Sequence, residues 1–283
     1  MRLALACLLA ALASAPAHAD CPPDARIDAL AAAWESRTPA AGYGPALTLE
    51  DAECARDRLV ERLMRTQGRI VGYKAGLTNP AVQARFGHPA PIRGVLLERM
   101  LLADGAEVPA AYGARPVYEA DLLVEVKDEG INTARTPQEV LEHVAAVIPF
   151  IELADLVLAP EVAPSGPALV AINAGARLGV LGARLPVDDA ARLAGQLGAM
   201  EVVLTDADGS ERARGPGTAI LGHPLNAVIW LAQDLARHGD RLRTGDLLSL
   251  GSFTPLTPPS PGRGVRVRYV GLPGEPAVSV NFR

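Results

Sequence analysis

The stretch Pro116-Val-Tyr-Glu-Ala-Asp, running on into Leu122, Leu123 and Val124, constrains this chain more than any other. Its apolar run reads as a strand, and residues two apart in a strand share a face. Glu119 and Asp121 then point the same way, about 7 Å apart along the chain. Like charges at that spacing repel unless water or a cation lies between them. Two readings stay open on this segment alone: a solvated strand face, or part of a site for a hard divalent cation, which takes oxygen ligands.

Other charged residues sit in apolar settings. Glu152 lies between Ile151 and Leu153 in Phe150-Ile-Glu-Leu-Ala-Asp. If that strand is buried, its carboxylate must be paired or bind metal; if it is an edge strand, Glu152 faces water. Lys74 lies between Gly72 and Gly76 in Ile70-Val-Gly-Tyr-Lys-Ala-Gly, where the glycines allow close backbone approach. It is either an exposed strand residue or an ammonium tuned by burial. His88, in the loop from Phe86 to Pro91, reads as a surface histidine.

With 283 residues and 49% hydrophobic content, the chain can bury a sizeable core. Its net charge of −5 provides no basic excess for nucleic acid. The first residues read as a leader: Arg2, an apolar run from Leu3 to Ser14, and Ala17-His18-Ala19 as a cleavage site. That run is too short to span a membrane, no second candidate follows, and the expectation is a periplasmic or secreted protein. Cys7 leaves with the leader. Cys21 and Cys54 then remain, an even pair that forms a disulfide or stays as two thiols.

The pattern predicts a helix over 26–36 capped by Asp24, and a second opening at Thr48-Leu-Glu-Asp and stopping near Gly68. Thr136-Pro-Gln-Glu opens another, with Val140, Leu141, Val144, Val147 and Ile148 as its buried stripe and Pro149 as its end. A hairpin turns at Asp206-Ala-Asp-Gly, and a helix runs from about Pro224 to His238. Many short strands with few helices, without regular βαβ alternation, indicate an α+β fold. Nucleotide-binding glycine loops, the GxSxG elbow, HExxH and CxxC are absent.

Gly72-Tyr-Lys-Ala-Gly-Leu-Thr resembles the GWKIGLT segment of 2-keto-4-pentenoate hydratases, in the fumarylacetoacetate hydrolase superfamily with 2-oxohept-3-ene-dioate hydratase and 4-oxalocrotonate decarboxylase. Pro116-Val-Tyr-Glu-Ala-Asp resembles their PRVEAE strand, and Ile148-Pro-Phe-Ile-Glu-Leu-Ala-Asp their LPALEIVD strand. Leu221-Gly-His-Pro-Leu-Asn-Ala-Val with Trp230-Leu-Ala, Gly245-Asp, and Gly251-Ser-Phe-Thr match further blocks in order. The resemblance implies a mixed β-roll or sandwich core over residues 71–283, a helical region over 20–70 behind a leader over 1–19, and ring-shaped homo-oligomers. It also implies that Glu119, Asp121 and Glu152 hold Mg²⁺ or Mn²⁺. Lys74 would be the catalytic lysine, and Asn173 and Thr254 substrate-binding residues. The implied reaction is metal-dependent hydration of an unsaturated 2-oxo acid, with decarboxylation or C–C hydrolysis as alternatives on the same fold.

Three features depart from the family. Asp121 stands where a Glu is usual, shortening one ligand by a methylene. Ala171-Ile-Asn173-Ala-Gly replaces an Ala-Asp-Asn-Ala-Ser motif, losing its acid and serine from the substrate side. The leader is foreign to enzymes that normally work in the cytoplasm. These departures leave a second hypothesis, an exported binding protein that keeps the fold without turnover.

Overall fold

In the computed structural model the described residues are 21–283, so the expected leader, with Cys7, lies outside them. Two helices come first. α1 (Asp24–Ser36) turns Ile27, Leu30, Ala31 and Trp34 inward, and α2 (Leu49–Gln67) does the same with Ala52, Ala55, Leu59, Val60 and Leu63. Thr48 caps α2 by accepting the Asp51 N–H at 3.1 Å. Asp24 does not cap α1: the helix begins at Asp24 itself, behind Pro23. Its carboxylate sits in the first turn, at the positive end of the helix, and pairs with Arg58 and Arg62 of α2. Cys21 and Cys54 are bonded, with Cα atoms 5.6 Å apart, which fixes the residue ahead of the α1 entry to α2. The apolar faces of both helices join the same buried cluster as the sheets.

The chain continues through β1 (Ile70–Gly76), α3 (Pro80–Arg85), β2 (Ile92–Leu97), β3 (Leu101–Ala103), β4 (Ala106–Val108) and β5 (Pro116–Val126). α4 (Pro137–Glu142) leads into β6 (Val144–Asp155), then α5 (Gly166–Ala171), β7 (Leu178–Leu181), β8 (Leu185–Pro186) and α6 (Ala190–Ala199). The hairpin of β9 (Glu201–Asp206) and β10 (Glu211–Pro216) precedes α7 (Asn226–Arg237), and β11 (Leu247–Ser249), β12 (Arg263–Val270) and β13 (Ala277–Phe282) close the chain. An eight-stranded sheet runs β2-β1-β11-β5-β6-β7-β3, with β8 on β6; a five-stranded sheet runs β10-β9-β12-β13-β4. The pairs β1–β11, β3–β7 and β4–β13 are parallel and the others antiparallel, so both sheets are mixed. At Gly72 an added Cβ would lie 1.8 Å from the Leu247 carbonyl oxygen, so only glycine lets β11 lie against β1 there. Among the described residues no helix is long and apolar enough to cross a membrane.

The expected helix over 136–148 is wrong in its second half. Thr136 does cap a helix, accepting the Glu139 N–H at 3.2 Å, but that helix stops at Glu142. Val144 to Ile148 belong to β6. Ala146, Ile148 and Phe150 enter one apolar cluster, while Val147, Ile151 and Leu153 enter the other. A strand buried on both faces reads as one continuous apolar run, which periodicity does not separate from a buried helix.

Candidate metal centre

β5 and β6 pair antiparallel, with Glu119 opposite Glu152 and Asp121 opposite Phe150. Directly opposed residues project to the same face, so the register adds Glu152 to the face that Glu119 and Asp121 share. One ligand oxygen from each of the three carboxylates lies within 4.8 Å of the others. Asp121 is wholly enclosed, and Glu152 and Lys74 are each 3% exposed. Glu119 is half-buried and opens on a cavity of about 410 Å³. The wet-face reading is therefore excluded for Asp121 and Glu152.

Neighbouring strands supply the contacts around these oxygens. Asp121 Oδ1 accepts the N–H groups of Leu122, Leu250 and Gly251 at 2.5, 3.2 and 2.9 Å, and its Oδ2 accepts the Ser249 hydroxyl at 2.5 Å. Lys74 stands on β1, separated from β5 only by β11. Its ammonium donates to Glu152 Oε1 and, at 3.0 Å, to the Ala174 carbonyl. Among the described residues Glu152 Oε2 is buried without a hydrogen-bond partner. Asn173 and Ala174 both hold left-handed backbone angles, φ 57° and 51°, an unfavourable conformation for non-glycine residues that the surroundings must enforce. The Asn173 amide enforces it, accepting from Val95 N at 2.7 Å and donating to Val95 O at 2.9 Å.

Tyr269 reaches in from the second sheet. Its hydroxyl accepts the Phe150 N–H at 3.0 Å and donates to the Asp121 carbonyl, so it is inserted between two residues that face each other across the ladder. The strand pair that carries all three carboxylates is thereby fixed to β12.

Electrostatically the cluster is incomplete. Burial and then Glu152 raise the Glu119 pKa well above the carboxylate range, and the same causes raise that of Asp121 to about 7. Burial works against the Lys74 ammonium, but Glu152 and Glu119 outweigh it and its pKa is raised. With all three carboxylates ionised, one ammonium would leave a surplus of two negative charges in a buried space, which is why two of them hold their protons without a cation. That surplus, all-oxygen donors and an orphaned Glu152 oxygen fit a hard divalent cation such as Mg²⁺ or Mn²⁺. A second acidic group, Glu53, Asp234 and His238, differs: Arg93 and Arg237 already hold the two Asp234 oxygens, at 2.6 and 2.8 Å.

Lys74, Glu119 and Thr254 all line the cavity. The Thr254 hydroxyl accepts the Ala120 N–H at 3.0 Å, which leaves its own proton free to donate. Asn173 is not among the lining residues; its amide is occupied by Val95, and Ala174 lines the cavity instead. His88 stays outside the lining too, against Gly166. Ser249, Tyr269 and Arg85 belong to the surroundings of the site and gave no signal in the sequence, and Thr78, which closes the GYKAGLT segment, was not singled out there.

No family model matches the chain. The 2-keto-4-pentenoate hydratase of Burkholderia vietnamiensis is 35% identical over 196 residues, covering 69% of this chain and 72% of the relative. The 4-oxalocrotonate decarboxylase of Pseudomonas putida is 30% identical over 238 residues, covering 81% and 84%. The chain belongs to this hydratase and decarboxylase family. The solved 4-oxalocrotonate decarboxylase from Pseudomonas putida G7, complexed with magnesium and adipate, superposes on this family member with a TM-score of 0.79 at 27% identity, covering 93% of this chain and 99% of that one. Fumarylpyruvate hydrolase from Pseudomonas aeruginosa, at 17% identity and a TM-score of 0.53, shares the fold alone. The α+β architecture is thus that of the fumarylacetoacetate hydrolase superfamily.

Proposed function

We propose that this family member is a divalent-metal-dependent hydratase of an unsaturated 2-oxo acid, taken up as its 2-hydroxydienoate. The observation that carries the reading is the register of β5 on β6, which places three carboxylates on one face, with Lys74 against Glu152 and with Lys74 and Glu119 lining an apolar cavity. Glu119, Asp121 and Glu152 would hold Mg²⁺ or Mn²⁺. Bound there, the cation supplies a Lewis acid for the carboxylate and oxo oxygens of the 2-oxo acid.

The chain's own groups divide the remaining work. An ammonium has three donors; Lys74 gives one to Glu152 and one to Ala174, leaving one N–H for a molecule in the cavity. Ketonisation of a 2-hydroxy-2,4-dienoate removes the proton of the 2-hydroxyl and returns one at C5. Hydration of the resulting enone then adds hydroxide at C4 and a proton at C3. Lys74 is the cavity-lining group placed to pass these protons. Thr254 donates its hydroxyl proton to the carboxylate end. Asn173 enters as support for Lys74, because it holds the backbone whose carbonyl Lys74 contacts. Leu77, Phe86, Leu156 and Leu169 line the walls and shelter the hydrocarbon part of the substrate.

Export is part of the proposal, and the Cys21–Cys54 disulfide supports an oxidising compartment. So is assembly into a homo-oligomer, which sedimentation of the purified protein decides. The activity test uses the protein without its leader on 2-hydroxypenta-2,4-dienoate, with Mg²⁺ or with a chelator, and again as Glu119→Ala. The dienol absorbance should decay only with metal and with Glu119 present. Metal-independent decay, or none by well-folded Mg²⁺-loaded protein, sinks the hydratase reading; metal binding without turnover of any 2-oxo acid favours the binding protein.

A further inference from the structure

The cavity wall carries few polar side chains, and most of them are spent on the protein itself. Asn79 accepts the Ala81 N–H at 2.8 Å and donates to the Ala219 carbonyl at 3.3 Å. Ser252 accepts the Thr254 N–H at 3.1 Å and donates to the Thr254 carbonyl. Arg85 lies exposed at the end of α3. Thr78 differs: it is 5% exposed, it lines the cavity, and its hydroxyl has no hydrogen-bond partner among the described residues. Its backbone is fixed on both sides. Leu77, just past β1, holds a left-handed φ of 53°, which is costly for a leucine and persists only where the surroundings impose it. Gln83 imposes it by donating to the Leu77 carbonyl at 2.8 Å, and the Thr78 carbonyl accepts the Leu221 N–H at 2.9 Å. The hydroxyl is thereby set beside the carboxylate cluster. It lies against Gly251, where an added Cβ would come within 2.2 Å of Thr78 Oγ1, and the Gly251 N–H is the one that Asp121 Oδ1 accepts at 2.9 Å.

On the reading above, hydration must direct a water at C4 of the enone. The water oxygen bonds to C4, the C3–C4 π pair moves toward the C2 oxo group, the water gives up one proton and C3 takes one. A hydroxyl offers two acceptor lone pairs besides its own proton. We infer that the Thr78 hydroxyl binds this water, accepting one of its O–H groups so that a lone pair faces C4. Thr78 neither gains nor loses a proton, and the same contact then holds the C4 hydroxyl of the product.

The inference rests on the proposed function, and its tests separate the two. Mg²⁺-loaded protein is given 2-hydroxypenta-2,4-dienoate and the products are followed by NMR. Thr78→Val should still ketonise the dienol, while addition at C4 slows about 10²-fold, the scale for a misplaced reactant, so that 2-oxopent-3-enoate accumulates. Thr78→Ser should restore formation of 4-hydroxy-2-oxopentanoate. The urea midpoint and the calorimetric Mg²⁺ affinity of Thr78→Val should match the parent, because the hydroxyl has no protein partner to lose. A second arm reads binding alone. Titrated calorimetrically, 4-hydroxy-2-oxopentanoate should bind the parent about 2- to 10-fold tighter than 2-oxopentanoate, the scale of one neutral hydrogen bond, and Thr78→Val should bind the two equally. Undiminished formation of the 4-hydroxy acid by Thr78→Val, equal slowing of both steps, or equal affinity of the parent for the two ligands overturns the inference and leaves the hydratase reading standing. No consumption of the dienol by the parent overturns that reading, and this inference with it.

Discussion

Metal-free protein should lose stability as the pH rises. Asp121 is held at about 7 against an ordinary 3.8, first by burial and then by the Glu152 carboxylate. At about 1.4 kcal/mol per pH unit, that displacement corresponds to about 4 kcal/mol. The sign follows from the proton that the folded state retains and the unfolded chain releases: the contribution is fully present below about pH 4 and is lost as the pH climbs through about 7. Glu119, raised by burial and by Glu152, acts in the same direction. His223 acts in the opposite one, since burial lowers its pKa and favours the neutral ring. Asp121→Asn isolates the carboxyl, because an amide keeps an acceptor for Leu122, Leu250 and Gly251 and offers a donor to the Ser249 oxygen. Urea denaturation in chelator, from acid to mildly alkaline pH, should show a fall for the parent protein that exceeds that of the variant by about 4 kcal/mol. Saturating Mg²⁺ should abolish the fall, since a cation stabilises the ionised carboxylates. A flat profile for the metal-free parent, or an equally steep one for Asp121→Asn, would refute the account of a buried, charge-deficient cluster.

Lys74→Met should lower kcat about 10²- to 10⁴-fold, the range for loss of a positioned proton carrier. Circular dichroism and calorimetric Mg²⁺ binding should both show the fold and the metal site retained. Tyr269→Phe removes the hydroxyl between Phe150 N and Asp121 O and should cost about 1–3 kcal/mol in urea denaturation. It should also weaken Mg²⁺ binding, which an effect confined to the second sheet would not do. Replacing Cys21 and Cys54 with serine should cost about 3–4 kcal/mol by the chain-entropy model for the loop they close. Intact mass with and without reductant, together with urea midpoints, checks that value; equal midpoints for the two forms would contradict it.

The candidate ligand set came from the family resemblance, and the local pattern was compatible with it while leaving a wet strand face open. Period-two spacing puts Glu119 and Asp121 on one face, and the apolar flanks of Glu152 allow either a buried carboxylate that needs a partner or an edge-strand one facing water. The helices that could be read at full length were those with a long apolar stripe, α1, α2 and α7, of which α2 alone has a side-chain cap. α3, α5 and α6 went unread although Asn79, Ser165 and Asp189 cap them, since two are only six residues long and leave no room for periodicity. β6 misled for the opposite reason: its double burial erased the alternation that identifies a strand.

What stayed hidden is the part of the site that exists only through topology. Ser249 reaches Asp121 across 128 residues of sequence and Tyr269 reaches it across 148, and both contacts depend on which strands become neighbours. The same holds for Asn173, which the family resemblance implied as a substrate contact. Its amide is consumed by Val95, 78 residues away, and its effect passes through the Ala174 carbonyl to Lys74. A site of this kind is therefore written at two ranges. Short-range spacing chooses the groups that can hold a cation, while strand order decides which of them are buried, how far each carboxyl is displaced from its ordinary titration, and what faces the open side. Arg85 belongs to that open side. It is exposed and carries no spacing signal, and only the folded chain brings it to the wall it shares with Glu119 and Lys74.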